Sequence, residues 1–200
     1  MPKVMLIAGM ADHVPCHEGY DLIGVDYGAV VCRRYNEAMI CAIGDFDSID
    51  STQLHQLEAD CSVIRLPEHK NETDSEAAIL YALSIGYDEI ILYGALGGRK
   101  DHEMANMYLL MYRDYPLQIM DERNRIRCIK EGIYHIQKEY TYLSFLPLEP
   151  SVITEKGVSY PLDHRTLTVR DVYGISNEIV DHEAVVEVHQ GRLLMIESND

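Results

Sequence analysis

Three short stretches of the sequence combine acidic, basic and glycine residues in patterns suited to chemistry on phosphate groups. They read GDFDS at 44–48, KNETDSEAA at 70–78 and GALGGRKDHEMAN at 94–106. Carboxylate oxygens are the ligands that hard divalent cations such as Mg²⁺ prefer, and a guanidinium group matches the oxygens of a phosphate. The three stretches therefore point to a metal-assisted site for an anionic ligand.

The GDFDS stretch places two carboxylates one residue apart at the end of an apolar run, AMICAI. Residues i and i+2 of an extended backbone point to the same face, so Asp45 and Asp47 are predicted to face one cation. Phe46 then points away and anchors the loop. The alternative is a solvated loop, with Asp50 and Gln53 capping the helix that follows.

The second stretch contains a helix start with charges around it. Thr73 and Glu76 fit a capping box, which explains those two residues structurally. The capping box does not explain Asp74 and Lys70, which flank a helix N-terminus whose dipole favours an anion. Their alternative is an ordinary solvated surface charge.

The third stretch is a glycine-rich turn followed by charged residues and a helix. Its glycines allow backbone N–H groups to approach a phosphate, Arg99 supplies a planar fork of donors, and Asp101 and His102 begin the helix. The alternative is a simple turn in which Asp101 caps the helix. The pattern is neither of the common glycine-rich nucleotide motifs, G-x-x-x-x-G-K-[ST] or G-x-G-x-x-G.

The elements that must position these turns alternate between short apolar runs and amphipathic segments up to about residue 122. This rhythm predicts an α/β fold, with a mostly parallel sheet flanked by helices. Ligands of such sheets bind at the carboxyl ends of the strands, where Asp26 and the acidic turns are expected to meet. The predicted strands cover 4–8, 22–25, 38–43, 62–66, 89–94 and 117–120.

The pattern changes after residue 123. Strand-length segments follow one another with Glu-Gly, Lys-Gly and Gln-Gly turn signals and without a convincing helix between them. This predicts a smaller antiparallel all-β domain, a sandwich or barrel built of hairpins. The predicted domains are therefore 1–122, carrying the nucleotide and metal, and 123–200.

Composition excludes several classes of protein. The net charge is −16, which repels nucleic acid and anionic membranes. The five cysteines show no CxxC spacing, and no apolar run approaches the roughly 20 residues of a membrane span. We therefore expect a cytoplasmic protein with reduced thiols and neither a nucleic-acid nor a membrane partner.

Taken in order, VDYGA (25–29), GDFDS, KNETDSEAA and GALGGRKDHEMAN resemble the motif series of the thiamine pyrophosphokinase family. In the second half, GVSYPL (157–162), GISNE (174–178) and the terminal GRLLMIES resemble the thiamine-binding domain of that family. The resemblance covers nearly the whole chain. It implies transfer of a diphosphoryl group from ATP to the hydroxyl of thiamine, with Mg²⁺, giving thiamine diphosphate and AMP.

The resemblance also implies roles for individual residues. Metal and phosphates would be held by Asp45, Asp47, Asp74 and Asp101, with Arg99 as a further catalytic residue. The nucleotide would be bound by Asp26, Lys70, Arg99, His102 and Asn106. Thiamine would be bound by Tyr160, Ser176 and Asn177, with Tyr160 stacking on the thiazolium in a chain that has no tryptophan.

Family members are homodimers, so the resemblance implies active sites at the subunit interface. A carboxylate, Asp101 or Asp74, would take the hydroxyl proton, and the sequence leaves the choice open. Two other functions are compatible with parts of the pattern. One is a different D-x-D metal-dependent nucleotide transferase, and the other is a non-catalytic module that binds thiamine or a nucleotide.

Overall fold

A computed structural model describes residues 1–67 and 71–200 of the chain. The chain forms two compact units, Met1–Asp121 and Glu122–Asp200. The first contains parallel strands and helices, and the second contains antiparallel strands. The predicted fold class is therefore confirmed.

The first unit is built on a parallel sheet whose strand order reverses once. Its strands are β1 Lys3–Ile7, β2 Asp21–Val25, β3 Cys41–Gly44, β4 Ser62–Arg65, β5 Glu89–Tyr93 and β6 Leu117–Met120. Within this unit the strand order is β4-β3-β2-β1-β5-β6, with every neighbouring pair parallel. The chain moves outward from β1 to β4 and then returns to the other side of β1 as β5.

Both faces of this sheet are covered. In β1, Met5 and Ile7 pack with Val31 and Cys32, while Leu6, which points to the opposite face, is also fully buried. Burial on both faces explains why the strands are continuous apolar runs and not alternating ones.

Four helices of the first unit lie among the described residues: α1 Tyr27–Arg34, α2 Ser51–Asp60, α3 Asp74–Ser84 and α4 Lys100–Tyr112. Within the described part of the chain, none of them is both long and apolar enough to cross a membrane.

The start of α2 confirms the predicted capping box. Asp50 Oδ1 accepts hydrogen bonds from the backbone N–H groups of Thr52 and Gln53, each at 2.8 Å, and Gln53 Oε1 accepts one from Asp50 N at 3.1 Å. These contacts satisfy backbone donors that the helix itself leaves without partners.

We expect Asp50→Ala to lower the free energy of unfolding by about 1 kcal/mol, because it removes the acceptor for two backbone donors. Asp50→Asn should change it by a few tenths of that amount, since asparagine is an equally good cap. Urea unfolding of the two variants measures the difference. Equal stabilities of Asp50→Ala and the wild type would contradict the capping role.

The starts of α3 and α4 differ from prediction. Thr73 Oγ1 caps α3 by accepting from Glu76 N at 3.2 Å, but the Glu76 carboxylate lies 3.2 Å from Arg113, and the second half of the box is not formed. The N-cap of α4 is Arg99, without a side-chain capping bond, so the alternative interpretation of Asp101 as the cap is wrong.

The second unit is an antiparallel sheet organised around one long strand. β11 (Glu183–Ser198) pairs along its whole length with β7 (Asn124–Gln137). On its other edge, residues 185–190 pair with β9 (Ser151–Lys156) and residues 193–198 pair with β8 (Tyr142–Pro147). β10 (Leu162–Leu167) completes a hairpin with β9.

Two of the predicted turns in this unit are wrong. Glu131-Gly132 and Gln190-Gly191 lie inside β7 and β11, where the pairing register shifts between Val188 and Arg192. A bulge uses the same permissive glycine conformation as a turn, so the sequence signal is the same. Gly191 is required there, because a Cβ atom would lie 2.3 Å from Ser151 Oγ.

Candidate active site

A cavity of about 660 Å³ opens in the first unit at the carboxyl ends of the strands. Part of its wall is Ala8–Met10, which follows β1, and another part runs from Gly94 to Arg99, which follows β5. β1 and β5 are the neighbours at which the strand order reverses, so the loops after them lead away from each other and leave a crevice. Residues that the sequence predicted to bind metal or nucleotide line this cavity. They are Asp26, Asp45, Asp47, Asp74, Arg99, Asp101, His102 and Asn106.

The Asp45–Asp47 loop brings both carboxylates to this cavity by a turn and not by extended backbone. β3 ends at Gly44, and Phe46 adopts a left-handed conformation with φ of 60°. Asp47 N donates to Asp45 Oδ1 at 3.1 Å, which closes the turn. Phe46 is buried against α1 and α2, as predicted, and anchors the loop.

Asp26 occupies a constrained position between β2 and α1. Its φ is 49° and ψ is −122°, a conformation that costs free energy for any residue but glycine. Ser48 Oγ donates to Asp26 Oδ2 at 2.8 Å, whereas the buried Oδ1 has no hydrogen-bond partner among the described residues. The pKa of Asp26 is raised above its usual value, mainly because the carboxyl group is buried. The nearby charges of Asp74 and Asp45 also raise it, while the hydrogen bond from Ser48 acts in the opposite direction.

Carboxylate oxygens of Asp26, Asp45 and Asp47 all lie within 4.8 Å of one another. Mg²⁺ binds such oxygen-only sets, usually through one or two carboxylates with water and substrate phosphate. The orphaned Asp26 Oδ1 and the mutual repulsion of the carboxylates are both features that a bound cation would relieve. The residues present therefore fit a magnesium ion.

Arg99 and Asp101 form an exposed ion pair at the mouth of the cavity. Arg99 Nη2 lies 2.6 Å from Asp101 Oδ2, and Arg99 Nε lies 3.1 Å from Oδ1, so the contact is bidentate. These hydrogen bonds hold the pKa of Asp101 at about 2, well below the usual range of an aspartate. While the pair is intact, Asp101 is a poor proton acceptor.

The remaining predicted residues of this site are placed differently. Asp74 begins α3 and His102 lies in the first turn of α4, and both line the cavity. Asn106 is buried and donates from Nδ2 to Ala95 O at 2.9 Å, which ties the glycine-rich loop to α4. Lys70 lies outside the described residues.

In the second unit, two of the three predicted thiamine residues, Tyr160 and Asn177, are hydrogen-bonded to each other, and Ser176 precedes Asn177 in the chain. The side-chain amide of Asn177 is paired with the backbone of Tyr160: Tyr160 N donates to Oδ1, and Nδ2 donates to Tyr160 O, each at 3.0 Å. Ser176 has a φ of 58° and donates from its backbone N–H to Ser144 Oγ at 2.9 Å. Tyr160 itself is 75% exposed, while Asn177 is buried.

Two family models match the chain in succession. Residues 20–120 match the model described as "Thiamin pyrophosphokinase, catalytic domain", and residues 130–193 match "Thiamin pyrophosphokinase, vitamin B1 binding domain". The chain belongs to the thiamin pyrophosphokinase family. The resemblance noted in the sequence is thereby confirmed.

Individual members of the thiamin pyrophosphokinase family match over their full length. The thiamine pyrophosphokinase of Bacillus subtilis (strain 168) is 31% identical over 214 residues, covering 100% of both chains. A crystal structure of thiamine pyrophosphokinase from Bacillus subtilis superimposes with a TM-score of 0.88 at 30% identity, covering 99% of each chain. A family protein from Enterococcus faecalis gives a TM-score of 0.89 at 25% identity, also covering 99% of each chain.

Two features of this thiamin pyrophosphokinase family site were missed by sequence reasoning. The loop Ala8–Met10 lines the cavity, and Asp26 belongs to the carboxylate group and not to the nucleotide side alone. A glycine directly after an apolar run was the available signal for the loop. Its relevance depends on β5 returning beside β1, which the sequence pattern does not specify.

One buried carboxyl group in the second unit has a distinct expected effect on stability. Glu155 is 2% exposed, and burial raises its pKa to about 7, an effect that the polar side chain of Asn177 partly offsets. A raised folded-state pKa means that the folded state binds the proton more tightly than the unfolded state. The resulting stabilisation is complete below about pH 4.5 and is lost as the pH rises through about 7.

We therefore expect Glu155→Gln to gain stability relative to the wild type as the pH increases from 5 to 8.5, by up to about 3 kcal/mol, because glutamine does not ionise. Urea unfolding at both pH values measures this difference. Glu131→Gln, the same change at an exposed position of β7, is the matched control and should show no such trend. A pH-independent difference between Glu155→Gln and wild type would contradict the raised pKa.

Proposed function

We propose that this protein transfers the diphosphoryl group of ATP to the hydroxyl group of thiamine, with Mg²⁺, and releases thiamine diphosphate and AMP. The observation that carries the proposal is the convergence of three carboxylates in a cavity of the unit that matches the catalytic-domain model. The other unit matches the vitamin B1 binding model, which supports thiamine as the acceptor. Residues 1–122 would hold metal and nucleotide, and residues 123–200 would contribute to thiamine binding.

We assign the metal to Asp45 and Asp47, with Asp26 as an additional ligand and Asp74 and Asp101 as the other acidic residues around the metal and phosphates. A bound Mg²⁺ would offset the negative charge of the triphosphate and hold its oxygens in a defined geometry. The carboxylates repel one another without a cation, as the effect of Asp45 and Asp74 on the pKa of Asp26 illustrates. This supports a site completed by a divalent ion.

Arg99 is proposed to bind the triphosphate. Its side chain is 73% exposed and lines the cavity, and the planar fork of donors of a guanidinium suits phosphate oxygens. If Arg99 moves from Asp101 to a phosphate, the largest cause of the low Asp101 pKa disappears. Asp101 would then become a better proton acceptor for the thiamine hydroxyl, with Asp74 as the other candidate.

Positioning accounts for the rest of the reaction. Displacement at the β-phosphorus needs the attacking hydroxyl and the leaving oxygen in line, and enzymes of this kind supply mainly geometry and charge neutralisation. Asn106 holds the glycine-rich loop through Ala95, and His102 lies beside the same loop as a nucleotide contact. Lys70 remains part of the proposal as a second cation for the phosphates.

We further propose a homodimer with active sites shared between subunits. The second unit exposes several large apolar side chains in the stretch of chain that contains the predicted thiamine residues. Aromatic and aliphatic side chains of this kind are typical of the core of a subunit interface. They are Tyr160, Val169, Val172, Tyr173, Ile175 and Val180.

A cytoplasmic location is the last part of the proposal. None of the five cysteines, all of which lie in the described ranges, forms a disulfide. Burial raises the pKa of Cys32 to about 12 and that of Cys41 to about 11, so these two are inert thiols. Reduced, unreactive cysteines fit a reducing compartment.

The test is incubation of the protein with ATP, Mg²⁺ and thiamine, followed by identification of the products. Thiamine diphosphate with AMP is expected. Thiamine monophosphate with ADP would overturn attack at the β-phosphorus. Transfer from a nucleotide sugar instead of ATP would indicate another D-x-D transferase, and thiamine binding without any product would indicate a non-catalytic module.

A further inference from the structure

The glycine-rich loop that lines the cavity contains two consecutive glycines in the left-handed region. Gly97 has a φ of 88° and Gly98 has a φ of 65°. Glycine loses more conformational freedom on folding than any other residue, so such a pair keeps one shape only where neighbouring groups hold it. Arg99, which the proposed function assigns to the triphosphate, follows directly in the chain. The placement of Arg99 therefore depends on what holds these two glycines.

Glu103, early in α4, contacts this loop on both sides of Gly98. Its side-chain Oε2 accepts a hydrogen bond from Gly97 N at 3.0 Å, and its backbone N–H donates to Arg99 O at 3.1 Å. Lys100 Nζ lies 2.7 Å from the same Oε2 atom, so the carboxylate is held between an ammonium group and a backbone N–H. The Glu103 side chain is 26% exposed, so water has only partial access to these contacts.

Among the described residues, the other hydrogen bonds of this loop lie away from the two glycines. Asn106 holds the loop two residues before Gly97. Asp101 holds the guanidinium of Arg99, and in the proposed function that contact opens when Arg99 turns to a phosphate. Arg99 is the N-cap of α4 and makes no capping bond with its side chain. Once Arg99 has left Asp101, the backbone of the turn is still held by Glu103.

We infer that Glu103 is a positioning residue for the triphosphate site, which it serves by holding the turn at Gly97 and Gly98 so that Arg99 faces the cavity. The inference rests on the proposed function, because that proposal assigns Arg99 to the triphosphate. Glu103 is not among the described residues that line the cavity, so it acts through the loop and not by contact with the ligand. Lys100 keeps the carboxylate paired, which weakens its repulsion of a phosphate.

The same contact limits the donors that remain for a phosphate. The sequence predicted that backbone N–H groups of the glycines approach the phosphate, but the Gly97 N–H is engaged by a carboxylate. A phosphate reaches that N–H only by displacing Glu103, and Lys100 opposes the displacement by holding the same oxygen. We therefore expect the phosphate contact to come from Arg99 and not from the Gly97 N–H.

The inference is tested in the full chain with Glu103→Ala and Glu103→Gln. Alanine removes the acceptor of the Gly97 N–H, while glutamine retains an acceptor oxygen. We expect Glu103→Ala to raise the KM for ATP roughly tenfold, the low end of the effect of losing a hydrogen bond to a charged group, with the KM for thiamine within about twofold of wild type. Glu103→Gln should bring the KM for ATP back to within about threefold of wild type, because a neutral oxygen accepts the bond more weakly.

A second readout needs no turnover. An ATP analogue with a methylene group between the α- and β-phosphorus atoms cannot release AMP, and its affinity in the presence of Mg²⁺ is measured by calorimetry. Glu103→Ala should weaken this affinity roughly tenfold in the wild-type background and by less than about twofold in an Arg99→Ala background. The second loss is small because a residue that acts by placing Arg99 has nothing to place once Arg99 is removed.

Glu58→Ala is the matched control. Glu58 is also a helical glutamate of the first unit paired with a cation, Arg65 at 2.6 Å, and it is not among the described residues that line the cavity. Its replacement removes a comparable ion pair without touching the glycine-rich loop. Both KM values and the affinity for the analogue should stay at their wild-type levels.

The outcomes separate the inference from the function on which it rests. A wild type that binds the analogue but makes no thiamine diphosphate would overturn the proposed reaction, while the loss of analogue affinity in Glu103→Ala would still support the positioning role. Unchanged ATP parameters in Glu103→Ala would overturn the positioning role alone. A lower KM for ATP in that variant would also overturn it, because the carboxylate would then compete with the phosphate. Parallel losses for ATP and thiamine would overturn it as well, because they would show a general structural defect.

Discussion

Replacing Asp45 and Asp47 together with asparagine is expected to reduce diphosphoryl transfer at least on the order of 10²-fold while the protein remains folded. Both carboxylates face the cavity, and the change removes two negative charges from the proposed magnesium site. Stability should change by less than about 1 kcal/mol, because neither residue holds the core and the cluster is self-repelling. Excess Mg²⁺ should recover part of the activity, since a weakened site is filled at higher ion concentration.

Asp50→Asn is the matched control for this experiment. It makes the same chemical change three residues further along the chain, at a helix cap that does not line the cavity, and it should retain wild-type turnover. Activity is measured with saturating ATP and thiamine, and folding by thermal unfolding. Near wild-type turnover in the folded double variant would contradict the metal-binding role. It would support the alternative, in which GDFDS is a solvated loop before a helix cap.

Mixing two inactive variants is expected to restore activity if the active sites are shared between subunits. Asp101→Ala damages the α/β unit, and Asn177→Ala removes the amide that holds Tyr160 in the β unit. In a mixed dimer with shared sites, one site carries both lesions and the other carries neither. Random exchange makes half of the dimers mixed, so about a quarter of wild-type activity should return.

The measurement needs a demonstration of exchange, for example with subunits carrying different tags. Each variant alone must be inactive and folded, and activity of the wild type should fall on dilution below the dimer dissociation constant. Continued inactivity of a mixture with proven exchange would show that each site is built within one chain. The assignment of Tyr160, Ser176 and Asn177 to the site of the other subunit would then be wrong.

Features of the fold that depend on residues close together in the sequence could be predicted well. The strands appear within a few residues of their predicted positions, because a strand buried on both faces must be a continuous apolar run. The cap formed by Asp50 and Gln53 was also predictable, since a capping box uses residues three apart in the chain. The second capping box failed because Arg113, distant in sequence, pairs with Glu76.

The sequence predicted which residues belong to the candidate site, but it did not predict how they are arranged in space. Every cavity-side residue predicted within the described ranges lines the same cavity, because the carboxyl ends of parallel strands share one edge of the sheet. The sequence placed Asp26 at the same edge of the sheet as Asp45 and Asp47, but it did not indicate that the Asp26 carboxylate, held with φ of 49°, would lie within 4.8 Å of theirs. That proximity requires β2 and β3 to be neighbours.

The sequence by itself determined which turns are acidic or glycine-rich, where the capping box of α2 lies, and that an α/β half precedes a β-rich half. These features follow from local backbone preferences and from the spacing of apolar residues. Only the tertiary structure decided that β5 returns beside β1 to open the cavity, that Gly132 and Gly191 form a bulge and not turns, and that Glu155 is buried in the second unit. The physical reason is that each of these depends on which distant segments pack together, and a local pattern of residue types is compatible with several such pairings.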